Sequence, residues 1–188
     1  MPDSTLTEQL RRFSSGDREM ADVVIREVLP ELHKIAVRAL SRERSAIAVS
    51  PSDLIQEVWL KHLGKGGWRI NDRGHFFAIA ARAMRQTLVS LARRRLAQRH
   101  GAGDAHVSLA ALPEPLHPTI PSPEAIVQIA MLIEELEKKD PEVAQIVDMH
   151  YIAGFTHEEI AKNGKLTLRQ VRHRWEKGQD WLKGRLVK

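Results

Sequence analysis

The chain has 188 residues, a net charge of +5 and a pI of about 9.7, and it contains no cysteine. This length suits one ordinary domain or two small ones, and 43% hydrophobic with 28% charged residues indicates a globular protein. The missing cysteine excludes disulfides, thiolate metal sites and a cysteine nucleophile. No apolar run is long enough to span a membrane, and the polar start lacks the apolar segment of a signal peptide. We therefore expect a cytoplasmic protein with no membrane partner.

The charges are unevenly distributed along the chain. Residues 73–103 contain seven arginines and no acid, and residues 161–188 contain nine lysines and arginines against two acids. Residues 131–160, between these zones, hold eight acids and two lysines. Two basic zones separated by an acidic stretch indicate two nucleic-acid contacts on one chain. Basic helix faces that are merely solvated remain the alternative.

Apolar residues at helical spacing predict four helices in the first hundred residues. These segments are about 6–13, 17–40, 51–63 and 75–99. Pro30 falls inside the second segment and predicts either the start of a further helix or a kink. No convincing period-two alternation appears, so the fold class is predicted to be all-α.

The third helix has a complete start signal in the stretch SPSDLIQEV. Ser50 is the predicted N-cap, Pro51 occupies the first helical position, and Asp53 completes a capping box. Three apolar residues are expected to face inward: Leu54, Ile55 and Val58. The side chains expected outside are those of Asp53, Gln56, Glu57 and Lys61.

A linker is predicted between two helical pieces. Five of the nine prolines fall within residues 113–123, and proline blocks helix formation. Residues 101–123 are therefore interpreted as a Pro-rich linker. It divides the chain into two small helical domains, 1–100 and 124–188.

The C-terminal piece carries the most specific motif, GFTHEEIAKNGKLTLRQVRHRWEKGQDWL. Thr156 with Glu159, and Thr167 with Gln170, form two capping boxes back to back. They predict a short helix at 157–162 and a longer one from 168, which is the spacing of a helix-turn-helix. The apolar contacts between them are assigned to Ile160, Ala161, Leu166 and Val171.

The second of these helices is the predicted recognition helix. Arginine can make paired bonds to guanine and glutamine to adenine, while lysine contacts phosphates. The predicted DNA-binding residues are Thr167, Arg169, Gln170, Arg172, His173, Arg174 and Lys177. A plain helical hairpin with a charged face is the alternative.

No enzymatic site is expected. The sequence HEEIA lacks the second histidine of a zinc protease helix, because that position is Ala161. The stretch GKGG has neither the spacing nor the Ser/Thr of a phosphate-binding loop. We predict no catalytic residues, no metal and no cofactor.

With both halves in view, the chain resembles bacterial extracytoplasmic-function (ECF) sigma factors over nearly all of residues 5–186. The resemblance rests on DLIQEVWLKHL and HFFAIAARAMRQTLVSLARRR in the N-terminal half, and on LEKKDPEVAQIVDMHYIAGFTHEEIAKNGKLTLRQVRHRWEKGQDWLK in the C-terminal half. It implies a first domain that binds core RNA polymerase and the promoter −10 element, and a second that binds the −35 element. The expected partners are therefore core RNA polymerase and promoter DNA.

The resemblance also assigns promoter opening to residues 68–86 and the basic residues that follow. The implied −10 contacts are Trp68, Phe76, Phe77, Arg82, Gln86, Arg93, Arg94 and Arg95. Phe76 and Phe77 are interpreted either as rings that stack on unpaired bases or as core residues. Arg82 matches an arginine of the family pattern, whereas Gln86 lies where many members have asparagine.

By the same resemblance, the helix after Ser50 docks on the polymerase through Asp53, Gln56, Glu57 and Lys61. Many family members read D-A-E-D at its tip, and here Ser50 and Ser52 replace two of those acids. Phosphorylation of either serine would restore negative charge at a helix N-terminus. A Ser/Thr kinase is therefore one candidate regulator and an anti-sigma factor another.

An ordinary helix-turn-helix regulator is the alternative function. It would account for residues 124–188 equally well. It accounts poorly for seven unopposed arginines in residues 73–103, because a sensor domain has no need for them.

Overall fold

The computed structural model describes residues 2–41, 49–65, 68–70, 72–101 and 123–186. These residues form α-helices and short helical turns, and no strand is present among them. The all-α prediction is confirmed. The predicted linker falls largely on residues 102–122, which lie outside the described residues, so the division into domains at that point stays a prediction.

The described part of the N-terminal half contains four α-helices. They are α1 (Pro2–Ser14), α2 (Ala21–Ser41), α3 (Pro51–Val58) and α4 (Arg73–Gly101), with a 3₁₀ turn at Arg18–Met20 and a π-helical turn, π1, at Trp59–Leu63. Helix α2 continues through Pro30 without a break, so the prediction of a further helix starting there is wrong. Pro30 is exposed, and Val28 and Leu32 on either side of it are buried on the same helical face. Burial of that face holds the helix together across a residue that cannot donate a hydrogen bond.

Residues 123–186 of the C-terminal half also contain four α-helices. They are α5 (Pro123–Lys139), α6 (Pro141–Val147), α7 (His157–Gly164) and α8 (Leu168–Leu186), with a second π-helical turn, π2, at Asp148–Ile152. Helix α8 crosses α6 closely at Gly178, where an added Cβ would lie 2.5 Å from Val147 Cγ2. Helices α7 and α8 follow each other with only a short turn between them, and they form the predicted helix-turn-helix.

The larger hydrophobic core joins the two halves. It contains buried residues of α1 to α4 together with Ile126 and Ala130 of α5, Ile146 of α6 and Phe155 before α7. Helix α4 is buried along most of its length, because the first three helices cover one side of it and α5, α6 and π2 pack on the other. A smaller cluster around Ile133, Val147 and Leu182 belongs to the C-terminal half alone.

Candidate DNA and polymerase interfaces

Reciprocal caps build the helix-turn-helix as predicted. The Thr156 N–H donates to Glu159 Oε2 at 2.8 Å, and the Glu159 N–H donates to Thr156 Oγ1 at 3.1 Å. The Thr167 N–H donates to Gln170 Oε1 at 2.8 Å, and the Gln170 N–H returns a bond to Thr167 Oγ1 at 3.2 Å. These bonds satisfy backbone donors that have no partner inside the helix. Ile160 and Val171 are buried beneath the turn, as expected.

The recognition helix divides the predicted DNA-binding residues into two groups. Thr167, Arg169, Gln170, Arg172 and His173 are all exposed. Arg172 also lies 3.6 Å from Glu158 of α7, whereas Arg174 and Lys177 are paired with α6, because Arg174 Nη2 bonds to Glu142 and Lys177 Nζ lies 2.6 Å from Asp140 Oδ2. The outer surface of α8 therefore presents Arg169, Arg172 and His173 to a ligand, while the next turn is tied to its own domain.

Helix α3 begins at the predicted cap. Ser50 Oγ accepts the Asp53 N–H at 3.1 Å and also donates to Asp53 Oδ2 at 2.7 Å. The serine cap is confirmed, although the carboxylate bonds to the hydroxyl where a full capping box would use the Ser50 N–H. The three residues expected to face inward are buried, whereas Asp53, Gln56 and Lys61 are exposed.

Glu57 differs from the other outward residues of α3 because it is already paired within the chain. Its Oε1 bonds to Lys61 Nζ and lies 2.7 Å from Arg94 Nη2 of α4. Partial burial works against the ionised form, but the hydrogen bonds from Lys61 and Arg94 outweigh it and lower the pKa of Glu57. Glu57 is therefore an ionised carboxylate whose charge two neighbours compensate.

An apolar groove runs beside α3. Its walls come from α2, α3 and π1, and its volume is about 380 Å³. Its lining includes Leu29, which is 44% exposed, and Leu60, which is 64% exposed. Ser52 lies at its edge. Large exposed apolar side chains next to a groove are typical of a protein-binding surface.

The predicted −10 residues occupy very different positions. Phe76 is 0% exposed and Phe77 1%, and their rings pack edge to face at 5.3 Å in the core. Neither ring is presented to a base, so the structure supports the core interpretation of this pair. Trp68 is half-buried and packs against Phe13 and Phe76, with ring centroids 5.8 and 6.2 Å away.

The arginines of α4 that were assigned to −10 DNA are more accessible. Arg93 and Arg94 are exposed, Arg95 is half-buried, and Arg94 makes the pair with Glu57. Arg82 is exposed and pairs with Glu137 of α5 at 2.9 Å, while Gln86 is half-buried. The outer surface of α4 is therefore basic, and two of its arginines already have acidic partners within the chain.

A family model for ECF sigma factors matches residues 3–188. The chain belongs to the ECF sigma factor family. No curated protein and no solved structure matches it. Membership means that the chain acts in transcription initiation and works with core RNA polymerase and promoter DNA. It favours the sigma factor prediction over the ordinary helix-turn-helix regulator, and it is consistent with a protein that is not an enzyme.

Two further features are absent from the part of the chain that the structure describes. No described helix of this ECF sigma factor is long and apolar enough to cross a membrane. Within the same ranges, no group of three or more histidine, aspartate or glutamate side chains is placed to hold a metal ion.

Sequence reasoning missed one element of the site, the burial of Arg85. This arginine of α4 is 1% exposed and bonds to Asp148, which is 3% exposed. A signal was present in the sequence, because residues 76–92 are apolar or small on nearly every face. Such a helix is normally covered on all sides, which leaves little open surface for DNA.

Proposed function

We propose that this ECF sigma factor docks on core RNA polymerase through α3, and that phosphorylation at the N-terminus of α3 strengthens docking. Arg82, Arg93, Arg94 and Arg95 of α4 contact the −10 region, and Arg169, Arg172 and His173 of α8 contact the −35 element. The observation that carries the proposal is the shortage of available acid on α3. Asp53 is its exposed acid, whereas Glu57 is compensated by Lys61 and Arg94.

Electrostatics favours a phosphoserine at the N-terminus of α3. A phosphate adds a charge of about −1.5 to −2, and a helix N-terminus stabilises anions. Ser52 is the better acceptor, because its side chain is exposed and caps no backbone group. Ser50 already bonds to Asp53, so a phosphate there would break the cap and repel the adjacent carboxylate.

The groove beside α3 supports control by a protein inhibitor as a second candidate. Leu29 and Leu60 would be covered by a partner that lies along α2 and α3. An anti-sigma factor bound there would block the docking helix directly. Control by a kinase requires a modified serine on α3, whereas control by a protein inhibitor does not.

The docking proposal is tested by the affinity of core polymerase for four proteins: the wild type, Ser52→Glu, Ser50→Asp and the control Ser15→Asp. Ser15 is an exposed serine in the turn that follows α1, remote in sequence from the docking helix. We expect Ser52→Glu to bind about tenfold more tightly, since close charge pairs at interfaces are worth about 1.5 kcal/mol or more. Equal binding of all four proteins, with no phosphate on protein purified from cells, would exclude the switch.

The DNA assignment is tested on the reconstituted holoenzyme. Arg172→Ala should weaken −35 binding by about 1–3 kcal/mol if the arginine reads a base. Arg174→Ala is the matched comparison and should have a smaller effect, because the Arg174 side chain is 23% exposed and bonds to Glu142 at 2.5 Å, whereas that of Arg172 is 58% exposed and lies 3.6 Å from Glu158. Unchanged affinity and sequence preference in Arg172→Ala would remove α8 from the interface. A protein that binds duplex operator alone and never initiates would contradict the sigma factor role.

A further inference from the structure

We propose that an acidic surface of the C-terminal half, formed by Glu134, Glu137 and Asp148, binds Arg82 and Arg85 of α4, competes with DNA for Arg82 and holds the unbound protein in a closed form. The inference rests on the proposed function, since it takes α4 to be the helix that meets the −10 region. It assigns a role to the acid-rich stretch 131–160, which neither DNA binding nor polymerase docking uses.

The centre of the acidic surface is a buried ion pair. Arg85 Nε donates to Asp148 Oδ1 at 2.7 Å, and Arg85 Nη2 donates to Asp148 Oδ2 at 3.2 Å. The same guanidinium lies 3.4 Å from Glu137 Oε2 and 3.7 Å from Glu134 Oε1. Two parallel bonds to one carboxylate match the fork geometry with which arginine also binds phosphate.

The rim of the acidic surface engages the next arginine of α4. Arg82 Nη1 lies 2.9 Å from Glu137 Oε1, so Glu137 bridges Arg82 and Arg85. Arg82 was assigned to DNA from the family pattern alone. In the closed form its charge is turned towards a carboxylate of its own chain.

Apolar packing covers the same side of α4. Ile126 and Ala130 of α5 and Ile146 of α6 belong to one core with Phe77, Met84 and Leu88 of α4. At the start of α4 the backbone approaches the helix-turn-helix closely, because a Cβ added at Gly74 would lie 2.1 Å from Asn163 O. Bases or phosphates cannot reach this side while the halves are joined.

The closed form is incompatible with simultaneous contact to both promoter elements. The −10 and −35 elements lie about 25 base pairs apart, which is about 85 Å of duplex at 3.4 Å per base pair. A compact chain of this length has a radius of gyration of about 16 Å. The halves must therefore separate before the sigma factor can read both elements.

The chemistry of the contact makes the closure reversible. The attraction between the two charges of a buried ion pair is worth little more free energy than the charges lose when they leave water. When the halves separate, Arg85 and Asp148 are hydrated again, and polymerase and DNA supply new partners for the surfaces. The acidic surface therefore selects one arrangement of the two halves, and the halves can still separate.

The test measures opening without polymerase or DNA. The chain contains no cysteine, so Ser15→Cys and Gly184→Cys provide two unique labelling sites, one in each half. We expect one short inter-label distance in this parent protein and a longer-distance population when Glu137→Gln is added. Glu135→Gln is the matched control, because Glu135 is a neighbouring acid of α5 that pairs with Arg185 of α8 and not with α4.

A second measurement follows the competition itself. Binding to a random-sequence single-stranded oligonucleotide should tighten about two- to tenfold in Glu137→Gln and stay unchanged in Glu135→Gln. Glu137→Gln is the decisive variant, because Glu137 bridges Arg82 and Arg85. Distances and affinities equal to those of Glu135→Gln would overturn the closed form. Failure to initiate transcription would overturn the proposed function and leave the distance result standing.

Discussion

Two of the arginine–carboxylate pairs of helix α4 have the same shortest distance and opposite surroundings. Arg94 Nη2 lies 2.7 Å from Glu57 Oε1 at the surface of the N-terminal half, and Arg85 Nε lies 2.7 Å from Asp148 Oδ1 between the two halves. The Arg94 side chain is 59% exposed and that of Arg85 only 2%. Distance alone would rank the two pairs as equal.

The pKa values of the two carboxylates, Asp148 and Glu57, shift in opposite directions. Burial raises the pKa of Asp148 to about 6, against the opposing charge of Arg85. Burial also disfavours the charge on Glu57, but less strongly, and the hydrogen bonds from Lys61 and Arg94 leave its pKa lowered. Loss of water therefore dominates at Asp148 and the ion pair dominates at Glu57. Removing one member of the Arg85 pair therefore leaves a buried charge without a partner, whereas the Arg94 pair is easily exchanged for water or another partner.

The largest predicted effect follows from breaking the buried pair on one side. Arg85→Ala leaves Asp148 without its main partner and should lower the free energy of unfolding by about 3–5 kcal/mol. The double variant Arg85→Met/Asp148→Leu removes both charges and should recover most of this loss. Urea denaturation measures both variants. A loss below about 1 kcal/mol for Arg85→Ala would show that the pair is open to water in solution.

The next prediction concerns the approach of α4 to the helix-turn-helix. Gly74→Ala places a methyl group 2.1 Å from Asn163 O, so the backbone must move. We expect a loss of about 1–3 kcal/mol in the free energy of unfolding, as for other overpacked sites. Gly184→Ala is the control, since nothing lies within 4 Å of its Cβ, and alanine should stabilise this helix by about 0.5–1 kcal/mol. Equal effects at both glycines would mean that the halves are not in contact there.

Asp148 and Glu57 should change the free energy of unfolding with pH in opposite directions. Asp148 binds its proton more tightly in the folded chain, so its contribution to stability is full at low pH and is lost as the pH rises from its ordinary value of 3.8 through about 6. Glu57 has the opposite sign, and its contribution is present above its ordinary value of 4.5 and lost as the pH falls below it. The measurement is the free energy of unfolding from pH 4 to pH 7.5 for the wild type, Asp148→Asn and Glu57→Gln. A wild-type curve parallel to that of Asp148→Asn would contradict the raised pKa.

The sequence was sufficient for features that depend on neighbours along the chain. The caps at Ser50, Thr156 and Thr167 were predicted because each bonds to a residue three positions away. Local spacing also placed the helix-turn-helix. These interactions form wherever the segment is helical, so distant parts of the fold have little influence on them.

The features that escaped prediction depend on contacts across the chain. Arg85 and Asp148 are 63 positions apart, and Arg94 and Glu57 are 37 apart. An arginine in the sequence indicates a positive charge, but it does not indicate whether that charge contacts DNA, solvent or a carboxylate. The composition of α4 therefore indicated a basic helix correctly, but it could not say which of its arginines are covered. Phe76 and Phe77 remained ambiguous for the same reason, since only packing decides between a core ring and a stacking platform.

The smallest predicted effect tests the exposed pair. Arg94→Ala should lower the free energy of unfolding by about 0.2–1 kcal/mol, because water replaces most of the lost attraction. Arg93→Ala is the matched control: Arg93 is the preceding exposed arginine of α4 and forms no ion pair with another described residue. A double-mutant cycle with Glu57→Gln isolates the coupling of Arg94 to Glu57, which should fall towards zero in 1 M salt, where the screening length is about 3 Å. A coupling above about 2 kcal/mol that resists salt would place this pair in the same class as Arg85 and Asp148, and the contrast between surface and buried pairs would no longer hold.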